Sequence, residues 1–327
     1  MKIAVLGHCN CDASQNGIRI AQSWTIQGHN VKTFDFDSLA EQTINKIIKF
    51  CPQICLVTMG RQWIYHDLLK KLKENNIYLA NWIPDEYGPA EEGGQWLNNI
   101  KGIYNLIMLE TRGIVPLIKN YADDVIWIPQ FFDHRYHRCT ENRLQVHPNF
   151  DLGFLGGSNT RQSSIRLDFI NKLIDDNYNI KISGIPTTWE GLVRKNKMSE
   201  DVFIQGPLVN GDMARFYART KIGLNFVNDK LPKYELALSN RSMKTIGCGC
   251  FLLTQEVDGL EDMLIPGKHC ETYPGTDYLA LKEKIEFFLK NESIREQIAA
   301  QGKQHILENY NIDKVTKGFL NEIIKRM

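Results

Sequence analysis

The chain has 327 residues, 43% of them hydrophobic and 24% charged, the composition of an ordinary globular protein long enough for two cores rather than one. Lysine and arginine number 39 against 38 acidic residues, a formal net charge of +1; that balance argues mildly against broad nonspecific nucleic-acid binding and leaves a local basic groove open. The opening Met1-Lys2-Ile3-Ala4-Val5-Leu6-Gly7 turns polar too soon for a secretory signal, and no apolar run approaches the roughly 18 residues that suggest a membrane span, so a cytoplasmic protein with reduced cysteines is expected.

Lys2 to Leu6 reads as a buried strand. The polar loop Gly7-His8-Cys9-Asn10-Cys11-Asp12 follows it, then a helix through Ile20 and Trp24 that Gly28 stops. Further strands are predicted at Val31–Phe34, Gln53–Thr58, Ile77–Ile83, Asn105–Leu109 and Val125–Ile128, with a helix bearing Leu68, Leu69 and Leu72 after the third. Short apolar strands alternating with helices specify a parallel sheet covered on both faces. Pro129 to Pro148 has no apolar period and reads as a linker. A second alternating series begins at Asp151–Leu155, with a helix from Arg161 to about Asp176 and strands at Ile180–Ser183, Val202–Ile204, Ile222–Val227, Phe251–Thr254 and Cys270–Thr272. The end is helical, Leu281, Ile285 and Phe288 sharing one face and Val315, Phe319 and Ile323 another.

In open α/β sheets ligands bind beyond the carboxyl ends of the strands, so the loops there hold the candidate residues. Asn240 to Thr254 reads as a short helix, a Gly247-x-Gly249 break and a buried strand. Arg241 and Lys244, with Ser242 between them, are three residues apart and share a helical face. Two cations at a helix N-terminus beside a turn where glycine permits close approach suit a phosphate-bearing ligand; the competing reading is a solvated helix face. Gly156-Gly157-Ser158-Asn159-Thr160-Arg161 offers backbone amides and a guanidinium to an anion, or is a plain strand-to-helix turn capped by Ser158 or Thr160. In the first half, His8 has the chemistry of a general base oriented by Asp12, unless Asp12 or Ser14 simply caps the next helix. Asp85 and Glu86, after the strand ending at Pro84, either meet acceptor hydroxyls or are ordinary turn residues.

Cys9-x-Cys11 and Cys248-x-Cys250 have one-residue spacing beside apolar strands, which suits small buried hydrophobes better than a zinc site. His134 and His137 share only a three-residue spacing in the linker, so no metal site is expected. Trp63, Trp82 and Trp96 either form a sugar-stacking platform or bury in the core.

Arg241 through Thr254, Gly259-Leu260-Glu261, Pro266-Gly267-Lys268, the helix from Tyr278 to Leu289 and the tail with Arg295, Ala299, Gly302 and Tyr310 together resemble the C-terminal signature of group 1 glycosyltransferases. The branch they resemble is that of the spore maturation protein B-like family. The similarity is strong over roughly 150–312 and thinner before it. Asp151 to Gly156 resembles the opening strand of the donor domain. The resemblance implies an α/β GT-B fold with two facing Rossmann-like domains: 1–130 on the acceptor side, a linker at 131–149, a donor-nucleotide domain at 150–308, and a last helix, 309–327, returning to the first domain.

By position, Gly156, Gly157, Ser158, Arg161, Arg241, Ser242 and Lys244 would surround a donor diphosphate, and Gly206-Pro207-Leu208 would lie near the base. His8, Asp12 and Asp85 would be the catalytic candidates facing the acceptor. One position departs from the pattern. Many relatives carry a glutamate where this chain has Lys244, and that carboxylate usually holds the donor ribose or sugar. Glu235 is one residue out of the usual spacing. A lysine there favours phosphate neutralisation, and retaining or inverting chemistry does not carry over.

The implied activity is metal-independent transfer of a hexose from a nucleoside diphosphate sugar, a UDP-sugar before others, to an acceptor hydroxyl, with no cofactor. Competing readings are a nucleotide-sugar epimerase of the same fold, a non-catalytic nucleotide-sugar-binding module, and a transferase acting on a hydroxylated DNA base, which the neutral charge does not favour.

Overall fold

A computed structural model of the chain describes residues 1–7, 16–35, 40–58, 66–83, 97–138, 149–157, 164–185, 189, 199, 201–227 and 234–327. His8, Cys9, Cys11, Asp12, Trp63, Asp85, Glu86, Trp96, Ser158 and Arg161 lie outside the described residues. The chain divides into two compact units. The first comprises Met1–Phe131, Tyr234–Ala237 and Tyr310–Met327, and the second Phe132–Lys233 and Leu238–Asn309.

The first unit is built on six parallel strands: β1 (Lys2–Gly7), β2 (Asn30–Asp35), β3 (Ile54–Val57), β4 (Tyr78–Ile83), β5 (Leu106–Leu109) and β6 (Asp124–Trp127). They lie in the order β2-β1-β3-β4-β5-β6. The runs Ile3–Leu6, Ile54–Val57 and Leu106–Leu109 are buried on both faces, as their unbroken apolar sequences require. At the edge, β2 carries the mixed sequence Asn30-Val31-Lys32-Thr33 and is largely exposed.

The last helix, Ile312–Ile324, packs on the first, Asn16–Ile26, within this unit. Its start is fixed by Asn311, whose side-chain oxygen accepts from the Lys314 amide at 3.0 Å. Trp24 donates its indole N–H to the Thr316 carbonyl at 2.8 Å. Phe319 of the same helix lies 6.2 Å from Trp82 and 6.3 Å from Phe131. Trp82 is fully buried in this cluster. It is therefore a core residue and forms no part of a sugar-stacking platform, because its faces are occupied by protein.

The second unit has β7 (Phe150–Leu155), β8 (Ile180–Gly184), β9 (Phe203–Gln205), β10 (Thr220–Asn225), β11 (Phe251–Gln255) and β12 (Glu271–Tyr273), also all parallel. The order β12-β11-β10-β7-β8-β9, counted from β7, is the 3-2-1-4-5-6 arrangement of dinucleotide-binding folds. Its switch point falls between β7 and β10.

Here the glycine break after Arg241 receives a different explanation from the one its sequence suggests. A Cβ on Gly247 would collide with the ring of Phe132, so that glycine admits a protein side chain and not a ligand. Gly249 has φ of 85°, the left-handed turn into β11 that a Cβ would strain. Cys248 and Cys250 are both buried, and Cys250 Sγ points to the Thr220 carbonyl at 3.4 Å. Among the described residues no cluster of three or more potential metal ligands occurs, and no helix is long and apolar enough to cross a membrane.

His269 and His305 stack with ring centroids 3.9 Å apart. His269 accepts from the Ile265 amide at 3.2 Å through Nδ1, and the Nε2 of His305 meets the Met263 carbonyl at 2.7 Å. Burial first, then His305 and Lys268, lower the His269 pKa to about 4. An unfolded chain takes up this proton near pH 6.5 and the folded chain refuses it. The stability that neutral His269 confers is thus complete above about pH 6.5 and is lost as pH falls towards 4. Urea midpoints measured across that range should fall accordingly, and His269→Gln should flatten the slope.

Candidate functional site

A cavity of about 320 Å³ opens at the carboxyl ends of the strands of the second unit. Leu155, Gly156 and Gly157 beyond β7, Gly184 and Ile185 at the end of β8, and Pro207 and Leu208 beyond β9 form its walls. Arg241 and Lys244 reach it from the helix Asn240–Gly247. Ser183, Met213 and Tyr217 complete the lining. The described lining thus brings two cations together with no carboxylate, beside the switch point where such sheets hold ligands.

The two cations are held differently. Arg241 donates from Nε to the Leu155 carbonyl and from Nη1 to Asn225 Oδ1, the latter at 2.9 Å. Its guanidinium lies 4.5 Å from the centre of the Phe154 ring, a cation–π distance. Asn225 is fully buried and donates to Thr254 Oγ1 at 2.9 Å. Ser239 stands at the N-cap position, yet its hydroxyl turns to Asn225 Oδ1, 2.7 Å away, and caps no helix amide. Lys244 sits one turn on, at the cavity wall and half-buried.

Tyr217 is buried, and desolvation raises its pKa against the opposing pull of the Thr245 hydrogen bond and Arg241. It stays a neutral phenol at any physiological pH.

The glycines are explained by backbone. Gly156 has φ of 144°, and a Cβ there would lie 2.5 Å from Arg241 Nη2. Any Cβ on Gly184 would strike the Gly156 carbonyl. Gly206 has φ of 86° and gives its carbonyl to the Ser183 hydroxyl at 2.8 Å; it does not line the cavity, whereas the next two residues do. Ser242 is fully buried in the helix and also lies off the wall.

Glu235, one residue out of the spacing at which the expected glutamate would stand, belongs to the first unit. There it is ion-paired with Arg112, and its carbonyl accepts from Gly113 at 3.0 Å. Sequence reasoning missed Arg166, Trp189 and Asn225, whose contacts with this site come from tertiary packing and leave no motif.

Residues 161–321, just under half of the chain, match the family model described as Glycosyl transferase-like. Solved structures share the fold across the whole length. An α-glucosyltransferase in complex with UDP and a 13-mer DNA containing an HMU base superposes with a TM-score of 0.74 at 12% identity, over 99% of each chain. HepE of Anabaena, in complex with UDP-glucose, gives 0.73 at 10% identity over 99% of this chain and 100% of that one. Sucrose-phosphate synthase of Thermosynechococcus elongatus gives 0.72 at 12% identity, over 99% and 98%. No curated protein sequence matches the chain. The pair of six-stranded parallel sheets is the GT-B architecture. With residues 161–321 matching the Glycosyl transferase-like model and the GT-B fold spanning the chain, the protein is a glycosyltransferase.

Proposed function

We propose that this glycosyltransferase holds the diphosphate of a nucleoside diphosphate sugar in the cavity of its second unit, with UDP as the nucleotide. The observation that supports this is the meeting of Arg241 and Lys244 on a glycine-walled cavity at the switch point, with no carboxylate among its described lining residues. In the proposed reaction the acceptor hydroxyl oxygen bonds to the anomeric carbon as the bond from that carbon to the β-phosphate oxygen breaks. The nucleoside diphosphate leaves with the bonding pair, and Lys244 and Arg241 offset the charge it gains. The acceptor proton passes to a base, for which His8, with Asp12 orienting it, and Asp85 are the candidates. No step calls for a metal.

Residues 1–130 are assigned to the acceptor and 150–308 to the donor, joined through 131–149, with 309–327 returning to the acceptor side. Ser158 and Arg161 are further candidates for contact with the donor phosphates. Ser242 and Gly206 act from behind the wall, given their positions. Within the wider family, the run from Arg241 to Thr254 supports the branch resembling spore maturation protein B.

Nucleotides that bind the folded state raise its melting temperature. In a thermal-shift series over the common nucleoside diphosphates and their glucose conjugates, UDP and UDP-glucose should produce the largest shifts. A series in which no nucleoside diphosphate shifts the melting point would remove the reading. With UDP-glucose alone, slow release of UDP and no epimerised sugar is expected, which separates transfer from epimerisation and from binding without turnover.

A further inference from the structure

Three consecutive carbonyls, from the end of β7 into the turn that follows, are each taken by a different side chain. Leu155 O accepts from Arg241 Nε. Gly156 O accepts from the Trp189 indole N–H at 3.1 Å, and Gly157 O from Arg166 Nη1 at 2.8 Å. Arg166 and Trp189 are buried and do not line the cavity. All three donors pack around one ring: Phe154 lies 4.5 Å from the Arg241 guanidinium and 5.4 Å from that of Arg166, and meets Trp189 edge-on at 5.9 Å.

Arg166 also reaches the Phe226 carbonyl at 3.0 Å, which ties the turn after β7 to the segment after β10 across the switch point. A trans peptide is planar, with its C=O and N–H pointing oppositely. Drawing the Gly156 carbonyl towards Trp189 therefore turns the Gly157 amide the other way.

The geometry points to Arg166 and Trp189 as positioning residues for the donor diphosphate. With Arg241 they lock the turn so that the Gly157 amide faces the anion, and the two guanidiniums add positive charge beside it. This rests on the donor reading above and adds to it two residues that touch no ligand. An anion gains most from amides that are already oriented before it arrives. The clamp thus acts on the diphosphate and leaves the nucleoside end of the ligand alone.

The test compares UDP with uridine, both titrated by NMR against the full chain and its variants. Trp189→Phe keeps a ring on Phe154 and deletes the N–H; Arg166→Lys keeps the charge and loses the simultaneous bonds to Gly157 and Phe226. Each should weaken UDP about tenfold, the scale of one lost hydrogen bond, with uridine affinity within about twofold of the parent. The UDP-to-uridine ratio is taken within one protein, so a variant that is partly unfolded lowers both affinities and leaves the ratio unchanged. Equal losses for the two ligands in both variants, or no loss of either, would overturn the clamp while leaving the donor reading intact. Failure of the parent protein to bind UDP would overturn the donor reading and the clamp with it.

Discussion

Lys244→Ala is expected to lower kcat/KM for sugar transfer by about a hundredfold or more, the usual consequence of deleting a charged group aimed at a developing anion. The side chain stands at the cavity wall and only half-buried, so its removal opens no core cavity and should change stability by no more than about 0.5 kcal/mol. Steady-state rates with UDP-glucose, measured beside a melting curve, check both halves. Lys244→Glu sharpens the experiment, because it installs the carboxylate that the resemblance to group 1 glycosyltransferases leads one to expect. If Lys244 neutralises phosphate, the glutamate should be worse than the alanine. Recovery of activity by the glutamate, or turnover and UDP affinity unchanged in the alanine, would remove Lys244 from the donor site.

Trp82→Ala is expected to cost about 3–5 kcal/mol, the range for an aromatic deleted from a core. Trp82 is fully buried and packs at 5.6 Å from Phe131 and 6.2 Å from Phe319, so its loss empties the space between the sheet and the last helix. Guanidinium denaturation should show the loss directly. A sugar-stacking residue would behave in the opposite way, weakening acceptor binding with the denaturation midpoint unmoved.

Much of the fold was legible because parallel strands buried on both faces leave unbroken apolar runs such as Ile54–Val57 and Phe251–Thr254. A three-residue spacing was enough to bring Arg241 and Lys244 to one cavity, since helical periodicity is a local property. What periodicity does not encode is the partner behind a residue. Gly247 reads as an opening for a ligand and in fact admits the Phe132 ring, which lies more than a hundred positions away in the chain. Arg166 reads as one more helix cation, and only the closeness of β7 to its own helix and to the end of β10 gives it two carbonyls to hold. Likewise the short segment Tyr234–Ala237 carries no composition that marks it as part of the first unit; its place depends on Arg112 and Gly113.

That the first unit draws on three separate stretches of chain, the last of them Tyr310–Met327, constrains how the protein is made. A ribosome releases the strands of the first sheet early, but the helix that covers Trp24 and Trp82 emerges only after the second unit. Until it does, those indoles have no lid, and the nascent sheet exposes an apolar face of the kind that chaperones bind. Fragments ending before residue 310 inherit the same exposed face permanently, so separate expression of the first unit calls for a circular permutation or a grafted final helix and not a simple cut.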